Sequence, residues 1–248
     1  MVQRLLLAGM LSGLIVALFA FSFARVYAEP TIERAIALEE GVAHGHDAAE
    51  EGTVSRSTQR NAGLLTGLAA YCAALGGLLA VGSACVHGRL SLRPRSTVWL
   101  FALMGYVALV LVPQLKYPAS PPGVGNADTI GSRTQLYFLM IIASAVCMAA
   151  SAWIACRTRR HVGPAAAVSI GIGLFIALTA VSTTMLPAIS ETSRDFPGGL
   201  LFEFRVYAAL LQLIVWGGLG LLFGQAAEHV IKRDRRMEGV ARHGIPNA

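Results

Sequence analysis

Charged residues are absent from six long stretches of this chain, 5–24, 61–86, 96–115, 134–156, 162–190 and 206–227, and crowd into the segments between them. Apolar residues run through each stretch without the in-out alternation of a lipid-facing β-strand. Each reaches the roughly 20 residues that a helix needs to cross about 30 Å of hydrocarbon. In lipid, an isolated segment satisfies its own backbone hydrogen bonds only as a helix. The pattern predicts an all-α, polytopic membrane protein with six transmembrane helices, at about 5–27, 62–86, 97–115, 135–156, 164–187 and 203–227.

Composition agrees. Of 248 residues, 55% are hydrophobic and 14% charged, against about 25% charged in soluble domains. The whole chain reads as one integral membrane domain in contact with the lipid bilayer, and mean hydropathy is +0.60. The net charge of +6 is read as topology, not as nucleic-acid binding. With the N-terminus placed in the cytoplasm, twelve of the twenty Lys and Arg fall inside against three acids, Glu228, Asp234 and Glu238. Positive residues favour the cytoplasmic side. The expectation is a multi-pass protein of the cell (inner) membrane, with both termini cytoplasmic, an outer loop at 28–61 and a cytoplasmic tail at 228–248. The first stretch also resembles a signal peptide ending at Val26-Tyr27-Ala28. Its twenty-residue apolar run exceeds the usual signal core, so a retained first helix is expected; cleavage would leave five spans.

The six helices form three predicted hairpins with weak likeness. Odd helices end near a proline, Pro30, Pro113 or Pro187; even ones begin with an arginine, Arg60, Arg133 or Arg205. Glycines inside the apolar runs allow helix backbones to approach closely. The four cysteines lie in or at the ends of apolar runs without CxxC spacing, as small buried hydrophobes do.

Candidate chemistry collects outside the spans. His44, His46 and Asp47, followed by Glu50 and Glu51, offer imidazole and carboxylate ligands to a divalent cation. A solvated acidic loop is the alternative. Glu29 and Glu33 share a face if 31–38 continues the first helix, either around a cation or paired with Arg25 and Arg34. No central third of a predicted span holds an acid or histidine. A crossing cation would meet neutral donors, most densely Thr183, Thr184 and Met185 before Pro187. No hydrolase, metalloprotease or nucleotide-binding motif occurs, so an enzyme is not expected.

Three segments carry a resemblance: Ala28-Glu29-Pro30-Thr31-Ile32-Glu33-Arg34 and its continuation to Glu40; Val112-Pro113-Gln114-Leu115-Lys116-Tyr117-Pro118-Ala119-Ser120-Pro121-Pro122-Gly123-Val124-Gly125 with Asp128 to Thr134; and Asp195-Phe196-Pro197 leading to Phe204-Arg205. In these the chain resembles the CbtA family, predicted cobalt transporter subunits. The resemblance implies Co2+ as cargo rather than a resident cofactor, and uptake linked to cobalamin synthesis. It also implies a small, His-rich, single-span CbtB-type partner. Pro113, Lys116, Tyr117, Pro118, Arg133 and Arg205 are the motif residues it highlights. Permeation of nickel or another divalent cation, and a non-conducting assembly role, are the alternatives.

Overall fold

The computed structural model describes residues 1–43, 55–88, 92–122, 124–125, 129–189 and 196–243. Among them there is no strand, and six helices are long and apolar enough to cross a membrane. They are α1 (Val2–Glu39), α2 (Arg56–Val86), α3 (Pro94–Lys116), α4 (Ile130–Val162), α5 (Pro164–Met185) and α6 (Gly198–Met237). The all-α, six-helix expectation therefore holds. Large apolar side chains such as Leu18, Phe19, Leu78, Ile142, Ile172 and Ile176 are exposed, a surface suited to lipid tails and not to water.

Several helices outrun their uncharged stretches, and the prolines do not stop them. α1 runs through Pro30 and α3 through Pro113. A proline inside a helix removes one N–H and crowds the carbonyl four residues earlier. In both helices the backbone widens into a π turn just before the proline, at Ala24–Ala28 and Val107–Leu111. The extra residue relieves the crowding and lets the helix continue. α2 starts where Ser55 accepts a hydrogen bond from the Thr58 amide at 3.3 Å, an N-cap. Only Gly163 separates α4 from α5, and Pro164 opens α5 in its first turn, where no amide donor is needed.

The helices contribute to two compact units. The first comprises the described parts of 1–30, 47–103 and 210–248. Its centre is the pairing of α1 with α2. Gly9 and Gly13, four residues apart, meet Gly76 and Cys72 so closely that backbone touches backbone. Leu5, Val16, Leu79, Val215, Leu219 and Phe223 are buried around this crossing. Tyr71 donates its hydroxyl to Gln212 Oε1 at 3.1 Å, and Arg4 Nη1 lies 2.6 Å from Asp234 Oδ1.

The second unit comprises the described parts of 31–46 and 104–209. Here α4 packs along α5, and the latter part of α3 packs on α4. The buried Ser144 hydroxyl donates to the Ala108 carbonyl, within the π turn of α3. The three-hairpin arrangement does not follow from this packing. α1–α2 and α3–α4 are two of the predicted hairpins, whereas the α4–α5 packing joins the second hairpin to the third.

Candidate functional site: a polar cavity at the loop after α3

Beyond Lys116 the chain leaves the helix and turns through Tyr117-Pro118-Ala119-Ser120-Pro121-Pro122. Three prolines remove three amide donors from this segment, and its carbonyls still need partners. Side chains supply hydrogen bonds to this segment and around it. Tyr117 donates its hydroxyl to the Pro187 carbonyl at 2.8 Å. Arg133 Nη1 donates to Val124 O at 3.4 Å, and Arg205 Nε to Ala119 O at 3.3 Å. The loop is thus tied to α4, to α6 and to the segment after α5, all within the second unit. Burial pushes the Tyr117 phenol above its ordinary pKa, so it remains a neutral donor at physiological pH. Lys116 places its ammonium 5.8 Å from the centre of the Tyr117 ring, within cation–π range.

Gly125 closes the loop with φ +102°, a conformation that L side chains rarely adopt. A Cβ there would also sit 2.2 Å from Arg133 Nη1. The glycine permits both the turn and the approach of the guanidinium.

Beside the loop lies a half-open cavity of about 380 Å³. Tyr117, Pro118, Arg133 and Arg205 line it with Gln114, Thr134 and Tyr137. Four of the six motif residues singled out by sequence therefore share one cavity. Pro113, buried in α3, and Lys116 lie outside its walls. Gln114 and Tyr137 were not among the sequence candidates. Tyr137 follows Arg133 by one helical turn on α4, and that i, i+4 spacing was the available signal. Among the described lining residues the charges are two guanidiniums and no carboxylate. The walls suit backbone carbonyls and anionic groups and oppose a bare dication.

The other candidates lie elsewhere. Glu29 is buried, and its Oε2 receives Arg56 Nη2 at 2.8 Å. Glu33 is exposed. Arg34 pairs with Glu203 at 3.0 Å, and Arg25 donates from Nε to Asn61 Oδ1 at 3.1 Å. Thr183 and Thr184 donate to the Ala180 and Val181 carbonyls of their own helix at 2.7 and 2.8 Å. Met185, the last residue of α5, is 80% exposed. Since α5 ends there, Pro187 stands outside the helix. Its carbonyl accepts the hydrogen bond from Tyr117. His44, His46 and Asp47 lie outside the described residues. Among the described residues no three His, Cys, Asp or Glu side chains converge.

Six helices long and apolar enough to cross a membrane define a multi-pass membrane protein. The chain belongs to the CbtA family: the family's sequence model, described as "Probable cobalt transporter subunit (CbtA)", matches residues 2–228. No curated protein and no solved structure matches it.

Proposed function

We propose that this chain is the membrane subunit of an inner-membrane Co2+ uptake system serving cobalamin synthesis, with both termini cytoplasmic and no enzymatic activity of its own. The family match over residues 2–228 carries this reading. The excess of Lys and Arg in the segments assigned to the inside supports the orientation. His44, His46 and Asp47 make first contact with the ion, with exposed Glu33 contributing charge. Imidazole and carboxylate together suit Co2+, and nickel to a similar degree. Glu29, bridged to Arg56, serves as an anchor for the start of α2. Thr183, Thr184 and Met185 offer weaker oxygen and sulfur ligands. The membrane potential favours inward movement of a dication by about 4.6 kcal/mol per 100 mV.

One observation favours a second reading, a non-conducting assembly subunit. The cavity at the motif loop presents Arg133 and Arg205 without an acid among its described walls, so a small His-rich single-span partner would supply the metal path. Reconstitution in liposomes separates the two. Co2+ influx through the chain alone supports conduction; influx only with the partner present supports assembly. Within the conducting reading, replacing His44 and His46 by alanine is expected to lower influx at limiting Co2+ and leave it intact at saturation. Unchanged influx at both concentrations would remove the capture role. Competition with nickel and zinc identifies the ion.

A further inference from the structure

The first unit contains a separate cavity, of about 480 Å³, where the end of α2 and the start of α3 face α6. Arg93, Lys232 and Arg235 line it, and Glu228 is the one acid among its described walls. Glu228 is already taken: Lys232 Nζ lies 2.6 Å from its Oε1. Among the described residues neither Arg93 nor Arg235 has an ion-pair partner. Lys232 and, more weakly, Arg93 hold the Glu228 carboxyl below its ordinary value, but three cations against one acid leave the described walls with an excess of positive charge. The helix start at Pro94 adds the partial positive charge of an N-terminus.

The remaining walls decide what such a charge would hold. Val86, Leu92 and Ile231 are apolar, and they sit where helices long enough to span a membrane end or begin. At that depth long cationic side chains extend toward lipid headgroups. A dication is repelled by the net charge, and a lone His87 gives it no ligand set. A soluble nucleotide would find no aromatic stacking surface. A phosphate attached to acyl chains fits both halves of the site.

We propose that this cavity binds the phosphate of an anionic phospholipid, with Arg93 and Arg235 as the binding cations. The inference is independent of the transported ion and of which side the cavity faces.

The test is native mass spectrometry of the full chain in detergent, titrated in separate arms with phosphatidylglycerol, phosphatidylcholine and inorganic phosphate. Phosphatidylglycerol is expected to bind in preference to phosphatidylcholine, and inorganic phosphate to give no adduct at concentrations where phosphatidylglycerol saturates. Each surface cation contributes about fivefold to binding of an anionic lipid. The R93Q/R235Q chain is therefore expected to bind phosphatidylglycerol roughly thirtyfold more weakly. The charge-preserving R93K/R235K chain should retain binding, as should R159Q/R160Q, which removes the same charge from the end of α4. Equal affinity for the two lipids would overturn the proposal. So would phosphatidylglycerol binding that survives in R93Q/R235Q, or loss in the lysine variant too. Saturation by inorganic phosphate at the same concentration would also overturn it, by making this a site for soluble anions.

Discussion

Replacing Gly13 by alanine is expected to force α1 away from α2. A Cβ at position 13 would lie 2.2 Å from the Cys72 carbonyl oxygen and 2.6 Å from the carbonyl carbon. Ordinary contact begins near 3.4 Å, so the new methyl is more than 1 Å too close. What it meets is helix backbone, which cannot swing aside as a side chain would. Tilting gives no escape. One turn away, a Cβ at Gly9 would be 2.3 Å from Gly76 O, and one at Gly76 would be 2.1 Å from Gly9 O. The helices must separate by about 1 Å, and a gap of that size forfeits up to about half of each dispersion contact along the seam. Overpacking a well-filled core costs about 1–3 kcal/mol. The backbone clash puts this case near the upper end, so the folded-to-unfolded ratio should fall by roughly a hundredfold. Reversible unfolding in mixed micelles, followed by tryptophan fluorescence, measures this, since Trp99 and Trp216 both belong to the first unit. Gly67→Ala is the control. It lies on α2 with open space around it and should be neutral or stabilising by up to about 1 kcal/mol. A Gly13→Ala chain as stable as the Gly67→Ala chain would refute the reasoning.

Two further substitutions probe polar contacts. Glu29→Gln leaves Arg56 without its charged partner at a carboxylate that is 6% exposed, and should destabilise by about 1–3 kcal/mol. A double-mutant cycle with Arg56→Gln that returns a coupling energy near zero would dismiss the pair as inconsequential. Gly125→Ala places a side chain at φ +102° and against Arg133 Nη1, at a cost of about 1–2 kcal/mol for the left-handed backbone alone. The Val124 amide, bonded to Pro121 O at 3.3 Å, should then exchange hydrogen faster. Unchanged exchange would mean that the turn does not depend on glycine.

The helices were legible because the bilayer imposes one rule on every spanning segment: apolar outside and hydrogen-bonded within. Their ends were less so. The predicted first span stops at 27, short of Pro30, with a continuation over 31–38 open, whereas the predicted third span, 97–115, already runs past Pro113. The π turns that let α1 and α3 continue depend on backbone geometry that no residue type announces. The close crossing of Gly9 and Gly13 with Gly76 needed the register of two helices, whereas sequence supplied only the presence of glycines. At the candidate site, Tyr117, Arg133 and Arg205 stood out by resemblance, but their partners are the carbonyls of Pro187, Val124 and Ala119. A sequence does not display which carbonyls a fold leaves wanting. Gln114 was hidden for a related reason, since a glutamine near a helix end carries no signal until a loop folds over it, and Tyr137 offered only its i, i+4 spacing from Arg133.

Irregular backbone near a membrane survives where protein groups satisfy it. The segment after Lys116 is such a backbone, and its prolines at 118, 121 and 122 can donate nothing. The motif supplies donors from two guanidiniums to the Val124 and Ala119 carbonyls, and ties the segment through the Tyr117 phenol to the Pro187 carbonyl. This accounts for the shared location of Tyr117, Arg133 and Arg205 without giving any of them a metal to hold. Guanidiniums are poor neighbours for a dication, because at about 4 Å two unit charges repel by roughly 1 kcal/mol in water and about 4 kcal/mol near a protein surface. A divalent ion carries twice that. On the proposed function, substitutions in the motif should therefore alter how much protein reaches a folded state, and leave the ratio of cobalt to nickel uptake, whatever its value, unchanged. First contact with the ion, on the same proposal, falls to the nitrogen and carboxylate ligands of His44, His46 and Asp47, and the motif residues take no part in it.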